Sequence, residues 1–117
     1  MKLKRTKQCA KCPWKKKTNP LDIPNGYDIK KHESLSSTIA EPSKVVESIE
    51  DYANNKPLNV MACHEEHQAH CVGWLNNQLG VGNNVVLRIK MLSCENIDQM
   101  EIFGEQHETF EETIPKT

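Results

Sequence analysis

Two cysteine-bearing stretches hold the residues whose types and spacing suit metal chemistry. Cys9-Ala10-Lys11-Cys12 is a C-x2-C run followed by Pro13-Trp14, and Met61 to Trp74 reads MACHEEHQAHCVGW. The second stretch places Cys63, His64, His67, His70 and Cys71 within nine residues. Thiolates and imidazoles are the ligands of structural zinc, and two pairs of cysteines complete a tetrahedral set. The spacing predicts one structural Zn2+ on Cys9, Cys12, Cys63 and Cys71. His64 is the alternative ligand, or a hydrogen-bonding neighbour of a thiolate, and His67 is a lesser candidate. The seven residues between Cys63 and Cys71 are loose for a knuckle. A helix starting near His70 would bring Cys71 back to the ion, its N-terminal dipole favouring the thiolate. Four thiolates also suit an iron–sulfur cluster, the alternative cofactor.

Catalytic patterns are thinner. A redox C-x-x-C needs a strand before it and a helix after it, but here a lysine-rich leader precedes and Pro13 follows. His64-Glu65-Glu66-His67 has two residues between its histidines, not the three of a zinc-hydrolase helix. The deaminase order, His-x-Glu before Pro-Cys-x-x-Cys, is reversed. A metal-dependent nuclease of the His-metal finger type is hinted at by Asn59 with His64 and His67. The chain therefore reads as a non-enzyme. Cys94 reads as a free, partly buried thiol, and His32 and His107 as surface residues.

The elements that must position these residues read as helical. At 117 residues, with 37% hydrophobic and 5% aromatic content, the chain is one small domain (1–117) with a modest core, which a metal crosslink would strengthen. The expected class is mainly α, with one or two short strands possible. Asp28 is the N-cap of a helix over 28–39. Ser43 caps a second helix with an apolar face of Val45, Val46, Ile49, Tyr52 and Ala53. Residues 58–62 read as a short extended segment that delivers Cys63. A third helix runs from about His70 to Leu79 and stops at Gly80. Over 85–92 a helix capped by Asn83 or Asn84 competes with a strand, and the helix is favoured.

Charge is distributed unevenly. Residues 1–17 carry eight lysines and arginines and no acid; residues 95–112 carry seven acids and no lysine or arginine. Hence 1–8 forms a basic leader and 95–117 an acidic C-terminal segment. The two ends attract each other, are separately solvated, or act on partners. The leader runs into no apolar stretch and no segment is long enough to span a bilayer, so the expectation is a cytoplasmic protein without membrane contact. In a reducing compartment paired cysteines favour metal over disulfide.

CAKCPW, NGYD ahead of a helix, MACHE and CVGW together resemble a family of small, uncharacterised bacteriophage and bacterial proteins. That family has a C-x2-C-P-aromatic motif, a later Ala-Cys-His and a Cys-x-Gly-aromatic. The resemblance covers roughly residues 8–92. It implies that Cys9, Cys12, Cys63, His64 and Cys71 hold the defining positions, packed by Pro13, Trp14, Gly73 and Trp74. It also implies a phage setting, hence the host-cell cytoplasm, and assigns no activity.

Two functions follow as expectations. The first is a zinc-finger-like, non-enzymatic module that binds a host or phage protein, with the acidic tail imitating DNA charge. The second is nucleic-acid binding through Lys4, Arg5, Lys7, Lys11, Lys15, Lys16 and Lys17, with Trp14 stacking on a base.

Overall fold

Helices supply all the regular structure in the computed structural model, which describes residues 2–23, 27–66 and 68–115. Among these residues there is no strand, only isolated bridges, so the short strands allowed for above do not form. Five α-helices are named here in chain order: α1 (Ile29–Ser34), α2 (Val45–Ala53), α3 (Val72–Leu79), α4 (Val85–Met91) and α5 (Phe110–Thr113).

Side chains start three of the five helices. Asp28 accepts from the Lys30 amide at 2.9 Å and starts α1. The helix expected over 28–39 is shorter: after Ser34 the chain tightens into a 3-10 turn over Leu35–Thr38. Ser43 caps nothing; it lies inside a 3-10 turn at Pro42–Lys44 that leads into α2. Proline at the first position of that turn needs no amide partner, so the hydroxyl cap is dispensable. α2 ends at Asn55 (φ 63°), where Lys56 N–H reaches Asp51 O at 2.9 Å and Asn55 N–H reaches Tyr52 O at 3.1 Å. This is a Schellman stop with asparagine in the left-handed position. Asn84 accepts from Leu87 N–H and starts α4, confirming a helix over 85–91. α5 begins with a capping box between Thr109 and Glu112.

The core is gathered around the cysteines. Trp14, Trp74, Leu75 and Leu87 are fully buried among Cys9, Cys12, Cys63, Cys71, Met61, Met91 and Phe110. Trp74 Nε1 donates to Thr38 O at 3.1 Å, tying the turn after α1 to α3. Gln78, also fully buried, accepts from Ala40 N–H and from Asn84 Nδ2 and donates to Asn77 Oδ1. A buried amide satisfied on every side fixes the mutual placement of α3, α4 and the Ala40 turn.

The basic leader and the acidic segment are both built into this core. Leu3 is buried, and its backbone pairs with the Asn96 side chain at 2.7 and 3.0 Å. Lys7 bridges Glu101, Lys15 bridges Gln106, and Lys2 pairs with Glu95 at 3.8 Å. The charge asymmetry thus serves in part to bring the two ends together.

Candidate metal centre

The N-terminal loop places its two thiols by a turn, with Cys12 N–H reaching Cys9 O at 3.3 Å and Lys15 N–H reaching Cys12 O at 3.1 Å. The second stretch uses a hairpin held by one bridge. Cys63 N–H donates to Ala69 O and Cys71 N–H to Met61 O, both at 2.8 Å, around Ala62 opposite His70. Facing residues of an antiparallel pair lie on one side of it. Met61, Cys63, Ala69 and Cys71 therefore share a face, and all four are buried. This hairpin overcomes the loose spacing of Cys63 and Cys71. The helix expected to start near His70 starts at Val72, with Cys71 as its N-cap residue, and Trp74 N–H points at the Cys71 sulfur.

Fifty-nine positions apart in sequence, Cys12 and Cys71 meet with their sulfurs 3.9 Å apart. A tetrahedron with metal–sulfur bonds of about 2.3 Å has an edge of about 3.8 Å, so this pair is spaced as two ligands of one ion. Beside it, Cys9 Sγ lies 3.1 Å from His64 Nε2. Cys9, His64 and Glu65 bring ligand atoms within 4.8 Å of one another, close enough to hold a metal ion. Cys63 Sγ is 3.9 Å from Arg5 Nη1, which also pairs with Glu65 at 3.0 Å. The four cysteines are only 4%, 0%, 3% and 5% exposed in chain order.

Their protons are unevenly held. Hydrogen bonds from Cys71 and Cys9, then from the Trp14 amide and Gln8, outweigh burial and pull the Cys12 thiol down to about 3. Cys9 and Cys71, each bonded to Cys12 and buried, are pushed up. Cys12 is thus the thiol of the three that ionises most readily, with Cys9 and Cys71 as its hydrogen-bonding neighbours. A divalent ion would take the place of the thiol protons. Burial alone would lower Arg5, but Cys63, Glu65 and Cys9 hold its guanidinium charge in place.

Gly73 admits this close approach. A Cβ there would lie 2.6 Å from Cys12 Sγ, 2.8 Å from Trp14 Cβ and 2.9 Å from Gln8 Nε2. A cavity of about 360 Å³ borders Cys9, His64 and Cys71, with Tyr27, His32, Leu35 and Met61 on its other walls.

Several expected residues lie elsewhere. Trp14 is buried against Phe110, with ring centroids 6.3 Å apart, so its ring is closed to a stacking base. Lys4 pairs with Glu66 at 3.2 Å and with Gln68, and Arg5 with Glu65. These two basic residues are engaged within the fold. Lys11, Lys15 and Lys17 rim a surface cleft with Phe103, and Lys16 lies exposed beside them. His70 stacks on Trp74. His67 lies outside the described residues. His32, expected at the surface, is buried between Tyr27 Oη (2.6 Å) and Thr113 Oγ1 (3.0 Å). Its partner Thr113 lies 81 residues away, which no local pattern reveals. His107 is half-buried, 4.0 Å from Glu112. Cys94 is buried, with Sγ 3.4 Å from Asn96 Oδ1. Glu65 was not foreseen as a possible ligand; its place directly after His64 was the available signal. Among the described residues, no helix is long and apolar enough to cross a membrane.

A scan of protein-family models found no match to the chain, and searches of curated proteins and of solved structures found none either.

Proposed function

We propose that the chain is a zinc-stapled, non-enzymatic recognition module, of the small phage type its motifs resemble, that binds a protein partner in the cytoplasm. The carrying observation is the 3.9 Å approach of Cys12 and Cys71, which joins two distant loops at the edge length of a zinc tetrahedron. Cys9, Cys12, Cys63 and Cys71 hold the ion. Their near-complete burial suits a closed structural site, since a catalytic zinc keeps a position open. Four thiolates on Zn2+ leave a net negative centre, and Arg5 beside Cys63 offsets part of it. His64 Nε2 lies 3.1 Å from Cys9 Sγ, the kind of neighbour that orients a ligand. Arg5 occupies Glu65, so that carboxylate serves the fold rather than acting as a base.

Cobalt substitution tests this assignment. The wild type should take up one Co2+ and show thiolate-to-cobalt absorption in the near ultraviolet. Cys63→Ser should weaken that band, and His64→Ala should keep it. Loss of binding in His64→Ala with retention in Cys63→Ser would give the fourth position to the imidazole. No uptake by the wild type would end the staple reading.

A second reading has its own observation. Lys11, Lys15 and Lys17 surround the half-exposed Phe103 on one cleft, with Lys15 Nζ 5.6 Å from the ring centroid. Cations around an exposed aromatic ring suit single-stranded nucleic acid. Three phosphate contacts would give a log–log salt slope of about −2 to −3. An anisotropy titration with an oligonucleotide at two salt concentrations decides: a steep slope favours this reading, and no binding at low salt removes it.

A further inference from the structure

α2 and α4 pack against each other, and each turns apolar side chains to solvent. Val46, Ile49 and Tyr52 on α2 are 69%, 40% and 38% exposed; Ile89 and Leu92, on α4 and its C-cap, are 42% and 85% exposed. Neither set is scattered. Val46, Ile49 and Ala53 follow i, i+3, i+7, and Val85, Ile89 and Leu92 follow i, i+4, i+7. On α4 the opposite side carries Leu87 and Met91, which are buried in the cysteine core. Uncovered apolar stripes on two adjacent helices mark an interface rather than an ordinary surface.

Charge identifies what covers them. On α2 the acids are Glu47, Glu50 and Asp51, with no basic residue. Asp51 is already paired with Lys56 at 3.3 Å, and Glu50 flanks the stripe. α4 bears Arg88, flanking its own stripe, and Lys90, and no acid. Arg88 is exposed, its Nη2 donating to Gly80 O at 3.4 Å; Lys90 is half-buried. A two-fold axis between the helices would lay each α2 over the other copy's α4 and match opposite charges twice. Pairing α2 with α2 would set acid against acid.

We propose that this chain forms a two-fold dimer in which α2 of each copy packs on α4 of the other. The apolar stripes bury each other, and the charges set the orientation. The proposal does not rest on the metal reading, because the interface uses the side of α4 turned away from the cysteines. Variants on that side should keep their metal and helix content.

Sedimentation velocity on the full chain over a concentration series tests it. The wild type should sediment as a dimer. Leu92→Glu should weaken association by more than about 100-fold, since it buries an unpaired charge. Glu47→Lys with Glu50→Lys, and separately Arg88→Glu, should each weaken it by about tenfold. Mixing these two charge variants should restore a dimer, because one interface then pairs the new charges and the other keeps the native ones. Circular dichroism checks that each variant is folded. A wild type that stays monomeric at every concentration overturns the proposal, leaving the stripes to a different protein. So does a dimer that Leu92→Glu leaves intact, or a charge-variant mixture that fails to associate.

Discussion

Around the cysteines, Trp14, Trp74, Leu75 and Leu87 are sealed from water, whereas α2 has no buried residue. Both regions are built from short helices with apolar residues at helical spacing. They differ in what surrounds them. α3 is pinned on one side by the knuckle loop and on the other by the Gln78 amide network. α2 leans on the side of α4 and is closed at its C-terminus by the stop at Asn55. Helical periodicity shows that a face wants covering. Only long-range contacts decide whether the chain covers it itself, and here those contacts cluster at the sulfurs.

Removing a metal ligand should break this contrast most severely. Cys12→Ser, or a strong chelator on the wild type, should abolish the cooperative thermal transition followed by circular dichroism. Structural zinc contributes on the order of 10 kcal/mol in zinc-finger peptides, comparable with the whole stability of a small domain. Retention of a cooperative transition in both cases would show that the core stands without metal.

Gly73→Ala comes next. The added carbon would meet Cys12 Sγ and the backbone-anchored Trp14 Cβ, neither of which can swing aside. A loss of about 1–3 kcal/mol in urea denaturation is expected. An unchanged midpoint would mean that α3 shifts freely against the knuckle.

His32 sharpens the comparison through pH. Burial depresses its folded pKa below the ordinary value of about 6.5. For an imidazole buried in the neutral form, the unfolded chain binds the proton more readily. Its contribution is therefore fully present above that ordinary value and lost as pH falls through the lower folded value. The urea midpoint of the wild type should fall more than that of His32→Gln between about pH 7.5 and pH 5. Parallel falls would place the acid sensitivity in other groups, such as the half-buried His70.

The smallest effects belong to α2 and the turn that leads into it. Ser43→Ala, which removes a hydroxyl that caps nothing, and Val46→Ser, made in the Leu92→Glu background to keep the chain monomeric, should each change stability by less than about 0.5 kcal/mol. A larger loss would mean that α2 is packed more firmly than its exposure implies.

What the sequence disclosed follows the range of each interaction. The caps at Asp28 and Asn84 and the stop at Gly80 depend on neighbours within a few positions, so local patterns place them. The C-x2-C turn is equally local. A helix was expected to bring Cys71 back to the side of Cys63; the two share a face instead through a hairpin with a single bridge, too short to leave an alternating pattern. Ser43 has the composition of a cap, but Pro42 starts a 3-10 turn one residue earlier. The burial of Trp14 and His32 depends on Phe110 and Thr113, roughly 80 to 100 residues away, in a segment whose acidity suggests solvent. The docking of the leader is equally non-local: its partners Glu65, Glu66 and Glu95 lie far along the chain.

Native mass spectrometry of the wild type and Cys71→Ser, sprayed from a volatile buffer without chelator, tests the central claim most directly. The account predicts the mass of one zinc per chain in a narrow, folded charge-state distribution for the wild type. Cys71→Ser should show the bare chain mass and the broad, highly charged distribution of an unfolded protein. A wild type that is folded at its bare chain mass would contradict the staple, and a mass increment of iron and sulfide would replace zinc with a cluster.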